Sequence, residues 1–115
     1  MNRDARIGMN EAVFRSVNER IQEVANAFQL SAEPLDLICE CGDASCVERI
    51  RLTRPEYEAV RDYPTRFAIA ADHENPEIDQ LVTECGRYSV VQKIAGRPAR
   101  IARQTDQRHG VEASG

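Results

Sequence analysis

From residue 10 to residue 28, Val13, Phe14, Val17, Ile21, Val24, Ala25 and Phe28 recur at intervals of three and four. That period predicts an amphipathic helix with this stripe packed on the core. Asn10 suits an N-cap, Met9 can staple against Phe14 across it, and Arg15, Glu19, Arg20, Gln22 and Glu23 fill the polar face. The same stripe would also serve a dimerisation or partner helix. After Pro34 the period shortens to two, and residues 35–39 and 47–52 read as strands. Thr53-Arg54-Pro55-Glu56 carries the reciprocal Thr–Glu pattern of a helix start, with Pro in the first turn where no hydrogen bond is lost. Tyr57 and Val60 give that helix an inner face, and Pro64 stops it. Residues 67–70 and 87–94 read as further strands. Residues 76–82 are ambiguous, a short helix being the reading that uses Ile78, Leu81 and Val82. Gly96 offers a turn, after which residues 99–102 can return as a hairpin partner.

The expected fold is therefore α+β: an N-terminal amphipathic helix, a small, largely antiparallel sheet and one or two short helices. At 115 residues the chain is expected to form one domain over residues 9–104. Residues 1–8 and 105–115 are expected to be flexible. With three Phe, three Tyr and no Trp, the core is aliphatic and small. No apolar run approaches the roughly 18 residues that cross a bilayer, and the first residues carry no apolar leader, so a cytoplasmic protein with no membrane partner is expected.

Charge changes the picture by its distribution. Residues 31–86 carry five Arg against thirteen acids, whereas residues 87–115 carry six basic residues against two acids. An acidic middle argues against general nucleic-acid binding. The basic end leaves a local contact open through Arg97, Arg100, Arg103 and Arg108, although no aromatic platform is interleaved with them.

The chemistry lies between the two strands of residues 35–39 and 47–52. Cys39, Cys41 and Cys46 fall within eight residues, and His73 follows 27 positions after Cys46. Three thiols and an imidazole form the donor set of a tetrahedral Cys₃His zinc site. At the end of a strand, residues two apart face the same way, so Cys39 and Cys41 can aim at one point. Gly42, Asp43 and Ser45 suit the reversal that brings Cys46 back, and amides in such a turn can donate to the sulfurs. The two strands thus form a metal-tipped hairpin. Asp72 or Glu74 could hold the second nitrogen of His73. Cys85 is the alternative fourth ligand, and His109 is a poor candidate. Clustered thiols without a secretion signal suit metal rather than disulfides.

The stretch Cys39-Glu-Cys-Gly-Asp-Ala-Ser-Cys46, with Arg49-Ile50, Leu52-Thr53, Glu56-Tyr57-Glu58, Val60-Arg61, Arg66-Phe67 and His73, resembles a family of short actinobacterial proteins with a C-x-C-x₄-C…H motif. The resemblance extends to Asn10-Glu11, Phe14 and Val17-Asn18-Glu19-Arg20-Ile21. It implies this fold and these metal ligands, and it implies no reaction. Two positions depart from the pattern: Ala71-Asp72 stands where Pro-Gly is expected, and Cys85 where no cysteine is expected.

Three functional readings follow. The first is a non-catalytic regulatory or interaction module whose Cys₃His zinc holds a surface for a protein partner. The second is a thiol–zinc redox sensor, with Cys85 as a resolving thiol. The third is a nucleic-acid-binding regulator using the C-terminal arginines. Catalysis at an open zinc finds little support: the histidine–glutamate and P-C-x-x-C spacings of the deaminases are absent, as are H-E-x-x-H and G-x-S-x-G. Oligomeric state is not written in these patterns.

Overall fold

The structure is a computed structural model that describes residues 3–27, 34–94, 96–106 and 108. Its order is α1 (Arg3–Ala27), β1 (Leu35–Ile38), β2 (Arg49–Leu52), α2 (Arg54–Arg61), β3 (Arg66–Ile69), β4 (Asp79–Glu84), β5 (Ser89–Lys93) and α3 (Arg97–Gln104). The α+β class is as expected. The strands divide into two antiparallel sheets rather than one: a β1–β2 hairpin with Leu37 opposite Ile50, and a β3–β5–β4 sheet with Phe67 opposite Val91. Among the described residues no helix is long and apolar enough to cross a membrane.

Helix α2 begins as its sequence dictates. The Thr53 hydroxyl accepts from the Glu56 amide at 3.3 Å, and the Glu56 carboxylate accepts from the Thr53 amide at 2.8 Å. Two segments differ from the sequence expectation. Residues 79–84 form an edge strand, because pairing with β5 gives their backbone partners that a lone short helix would not have. Residues 97–104 form a helix, with Pro98 in the first turn where its missing N–H costs nothing. Gly8 lets α3 approach α1, since a Cβ there would stand 2.9 Å from Ile101 Cδ1.

The largest difference concerns which side of α1 faces inward. The helix starts at Arg3, so Asn10 lies inside it and donates to the Gly42 carbonyl at 2.9 Å instead of capping. Met9, Val13, Val17 and Val24 point to solvent, and the expected staple of Met9 is not formed by a buried pair. The buried stripe holds Glu11, Arg15, Asn18, Glu19 and Gln22 beside Ala5 and Ala25. Burying such groups is tolerable only where each finds partners. Arg15 donates to the Pro64 carbonyl at 2.6 Å and the Ala102 carbonyl at 2.8 Å, and lies 4.7 Å from the centre of the Phe67 ring. Gln22 donates to Glu58 at 2.7 Å. Glu19 meets buried Arg61 at 3.4 Å and Arg108 at 2.7 Å, and Arg61 pairs with Asp106 at 2.5 Å. Asp106 and Arg108, placed by the sequence in the tail, are thus joined to the body of the protein. Phe28 and His109 lie outside the described residues.

One apolar cluster joins Leu35, Leu37, Ile50 and Leu52 of the hairpin to Tyr57, Val60, Ala68 and Val90. A second gathers Phe67, Ile69, Val91 and Ala102 around Cys39. The cysteine loop is therefore built onto the core at its first residue.

Candidate metal centre

The loop between β1 and β2 is drawn against β3 as it leaves the hairpin. The Glu40 amide donates to the Ala68 carbonyl at 2.9 Å, and the Ala68 amide donates back to the Glu40 carboxylate at 3.0 Å. Alternation along an extended chain turns Glu40 away from Cys39 and Cys41 into the interior, where it is wholly buried. There it also accepts from Asn18 at 2.8 Å and from the Tyr57 hydroxyl at 2.7 Å. Desolvation pushes its carboxyl above the usual range, and these donors oppose that push. Asn18 binds Ile38 as a neighbouring strand would, accepting from its amide at 2.9 Å and donating to its carbonyl at 2.8 Å.

The reversal follows the turn chemistry expected of it. Gly42 has φ +83°, a value that suits glycine, and a Cβ there would lie 2.9 Å from both Glu11 Cγ and Ile7 Cγ2. The Asp43 carboxylate accepts from the Ser45 amide at 2.9 Å and its hydroxyl at 2.7 Å, and the Cys46 amide closes the turn on the Asp43 carbonyl at 3.0 Å. On the opposite side, the His73 amide donates to the Ala70 carbonyl at 3.2 Å, with Asp72 at φ +66°. Ala71-Asp72 thus makes the bend for which Pro-Gly is well suited, aspartate being among the residues that tolerate a positive φ.

These two turns bring Cys39, Cys41, Cys46 and His73 together, with one donor atom of each lying within 4.8 Å of the others. His73 Nδ1 is 3.5 Å from both Cys39 Sγ and Cys46 Sγ. A zinc tetrahedron with Zn–S of about 2.3 Å and Zn–N of about 2.05 Å has S···N edges of about 3.5–3.6 Å. The two edges from His73 to Cys39 and Cys46 match that spacing. Each sulfur also receives a backbone amide: Ala70 donates to Cys39 at 3.1 Å, Asp43 to Cys41 and Glu48 to Cys46. Hydrogen bonds from amides favour the thiolate, the form that binds metal.

The three thiols differ in their first ionisation. Cys41 is drawn down to about 5, chiefly because Cys39 donates to it, with the Asp43 amide, His73 and Cys46 adding to the effect. Cys39 is pushed up by giving that hydrogen bond and by burial. Cys46 is raised, mainly by desolvation.

Other sequence candidates stand apart. Cys85 is exposed in the β4–β5 turn, its amide bonded to the Tyr88 carbonyl at 3.0 Å, and it is not in the cluster. Among the described residues the His73 ring is hydrogen-bonded through Nδ1 to sulfur, and neither Asp72 nor Glu74 holds its other nitrogen. Of the C-terminal arginines, Arg100 and Arg103 are exposed, whereas Arg108 is engaged with Glu19 and Glu58. Glu40, Asn18, Tyr57 and the Ala70 amide were not expected at this centre. Alternation around Cys39-Glu40-Cys41 was the one available signal that Glu40 points inward.

A cavity of about 630 Å³ opens beside the donors, bounded by Cys41, His73, Arg3, Arg6, Asn10 and Asp43. Comparison with known proteins found no matching family model, no matching curated protein and no matching solved structure. The functional reading therefore rests on the centre itself.

Proposed function

We propose that this chain is a small non-catalytic zinc-binding protein, a regulatory or interaction module whose Cys₃His site is structural. The observation that supports the reading is the convergence of four protein donors within 4.8 Å of one another, with His73 Nδ1 at 3.5 Å from two of the sulfurs. Three sulfurs and one imidazole suit zinc, and four protein donors leave no coordination position for a reacting water. The ion would tie the hairpin loop to the turn after β3. Metal binding of this kind contributes on the order of 10 kcal/mol to folding in small zinc peptides. It would hold the surface around the cavity in one shape for a protein partner.

A second reading is favoured by one observation: Cys41 and His73 line an open cavity, so oxidants can reach the centre. Zinc release on oxidation would then make the module a redox sensor.

Native mass spectrometry of the chain beside Cys46→Ser and His73→Ala tests the first reading. One zinc per chain, lost in Cys46→Ser and weakened in His73→Ala, is expected. Full retention in both variants overturns it. Stoichiometric zinc release at low peroxide, reversed by reductant, would favour the sensor.

A further inference from the structure

The register of the β1–β2 hairpin ranks the three clustered thiols as partners for one another. Leu37 stands opposite Ile50, and Ile38 opposite Arg49. The Cys39 amide donates to the Glu48 carbonyl at 3.2 Å, which carries the register one step further. The Glu40 amide turns outward to the Ala68 carbonyl, as the next, non-hydrogen-bonded step requires. Two steps beyond Cys39, the same count sets Cys41 opposite Cys46. Facing residues of an antiparallel pair have Cα atoms about 4.5–5.5 Å apart, inside the roughly 4.4–6.8 Å that a disulfide spans. Cys39 is diagonal to Cys46, and diagonal neighbours stand about 7–8 Å apart. Cys39 and Cys41 lie two apart on one strand, about 6.6 Å, at the far limit of that span. Exposure separates the thiols in the same way. Cys39 is 3% exposed, packed with Phe67, Ile69 and Val91, and its sulfur accepts from the Ala70 amide at 3.1 Å. Cys41 and Cys46 are half-buried at the edge of that cluster, and Cys41 borders the open cavity through which a small oxidant arrives. Residues 43–45 between them are exposed, so the loop can tighten without moving the core.

We propose that Cys41 and Cys46 form a reversible oxidation site, joined by hydrogen peroxide in a disulfide while Cys39 stays reduced. The inference rests on the Cys₃His reading of the centre and gives the sensor reading its chemistry. As metal ligands both sulfurs are thiolates. The Cys41 thiolate attacks peroxide, the O–O bond breaks, and Cys41 sulfenic acid and hydroxide form. The Cys46 thiolate then displaces hydroxide from that sulfur, and the S–S bond closes. Two thiolates lose two electrons in all, and one peroxide is reduced to two hydroxides. The bridge removes two of the four donors and leaves Cys39 and His73, too few for a closed zinc site. Cys85, exposed in the β4–β5 turn and outside the donor cluster, takes no part.

Differential alkylation of the full chain, before and after a few-fold excess of hydrogen peroxide, tests the pairing. Free thiols are blocked in denaturant with one reagent, the disulfide is reduced, and the freed thiols take a second. Cleavage before Asp43 parts Cys46 from Cys39 and Cys41, and fragmentation of the peptides assigns each label. The second label is expected on Cys41 and Cys46 only, with one zinc released per bridge and taken up again after a dithiol reductant. A second label on Cys39 or Cys85, or thiols that all stay reduced, overturns the proposal. So does zinc held fully by the bridged chain. Native mass spectrometry of the untreated chain reads zinc separately: a chain without zinc overturns the metal reading, and the label pattern still decides the pairing.

Discussion

Replacing Asn18 by alanine probes how the polar stripe of α1 supports the metal loop. The side chain is wholly buried and makes three hydrogen bonds: from the Ile38 amide at 2.9 Å, to the Ile38 carbonyl at 2.8 Å and to Glu40 at 2.8 Å. Alanine removes all three, strands both backbone groups of Ile38 and takes one donor from a buried carboxyl group. Neutral hydrogen bonds contribute about 1 kcal/mol each, bonds to charge about 2 kcal/mol, and a stranded buried group adds its desolvation cost. The expected loss is about 3–5 kcal/mol, a large share of a typical 5–15 kcal/mol total. Urea unfolding of the zinc-saturated protein reads it as a lower midpoint with an unchanged slope. Tyr57→Phe removes another Glu40 donor, and its effect should couple to that of Asn18→Ala by about 0.5 kcal/mol or more, since both act on one carboxyl group. A loss below about 1 kcal/mol in Asn18→Ala would refute the argument, because no rearrangement inside a packed core supplies three partners at once.

Two further substitutions address the groups beneath the loop. Lys93 lies between the buried carboxyl groups of Glu11 and Asp79, so one cation serves two acids. Burial holds the Glu11 carboxyl up at about 8, against an ordinary 4.5, despite Lys93. With the folded pKa raised, the folded chain keeps a proton that the unfolded chain has lost, and stability falls as pH rises from 4.5 to about 8. Glu11→Gln mimics the protonated form, so the variant should gain on the wild type across that window; parallel stability–pH curves from urea melts would contradict this. Gly42→Ala places a Cβ 2.9 Å from Glu11 Cγ and Ile7 Cγ2 at a positive φ. It should cost about 1–3 kcal/mol in the same assay and weaken zinc in competition with a chelator; wild-type values in both would remove the glycine from the argument.

What was legible in the sequence was mostly local. The Thr53–Glu56 capping pair, the strands read over residues 35–39 and 47–52 and found at Leu35–Ile38 and Arg49–Leu52, and the cysteine turn each depend on residues a few positions apart. The convergence of His73 on the cysteines was readable only as donor chemistry, because the distance closes through the pairing of Glu40 with Ala68. The face of α1 was misread for a physical reason. Periodicity shows that an apolar stripe exists, but Arg15, Asn18 and Glu19 are paid for by partners 20 to 90 residues away. Residues 79–84 were obscured because Ile78, Leu81 and Val82 also fit a helical spacing, and strand β5 decides between the two. For α3 a signal was present, Pro98 just after Gly96, and the short apolar alternation of residues 99–102 masked it.

X-ray absorption at the zinc edge of the metal-loaded chain tests the central claim most directly. The account predicts three sulfurs at about 2.3 Å and one nitrogen at about 2.05 Å, with no further ligand. A shell of four sulfurs would bring Cys85 or a second chain into the site. Two light atoms beside two sulfurs, or no ordered sulfur shell, would contradict the closed Cys₃His centre.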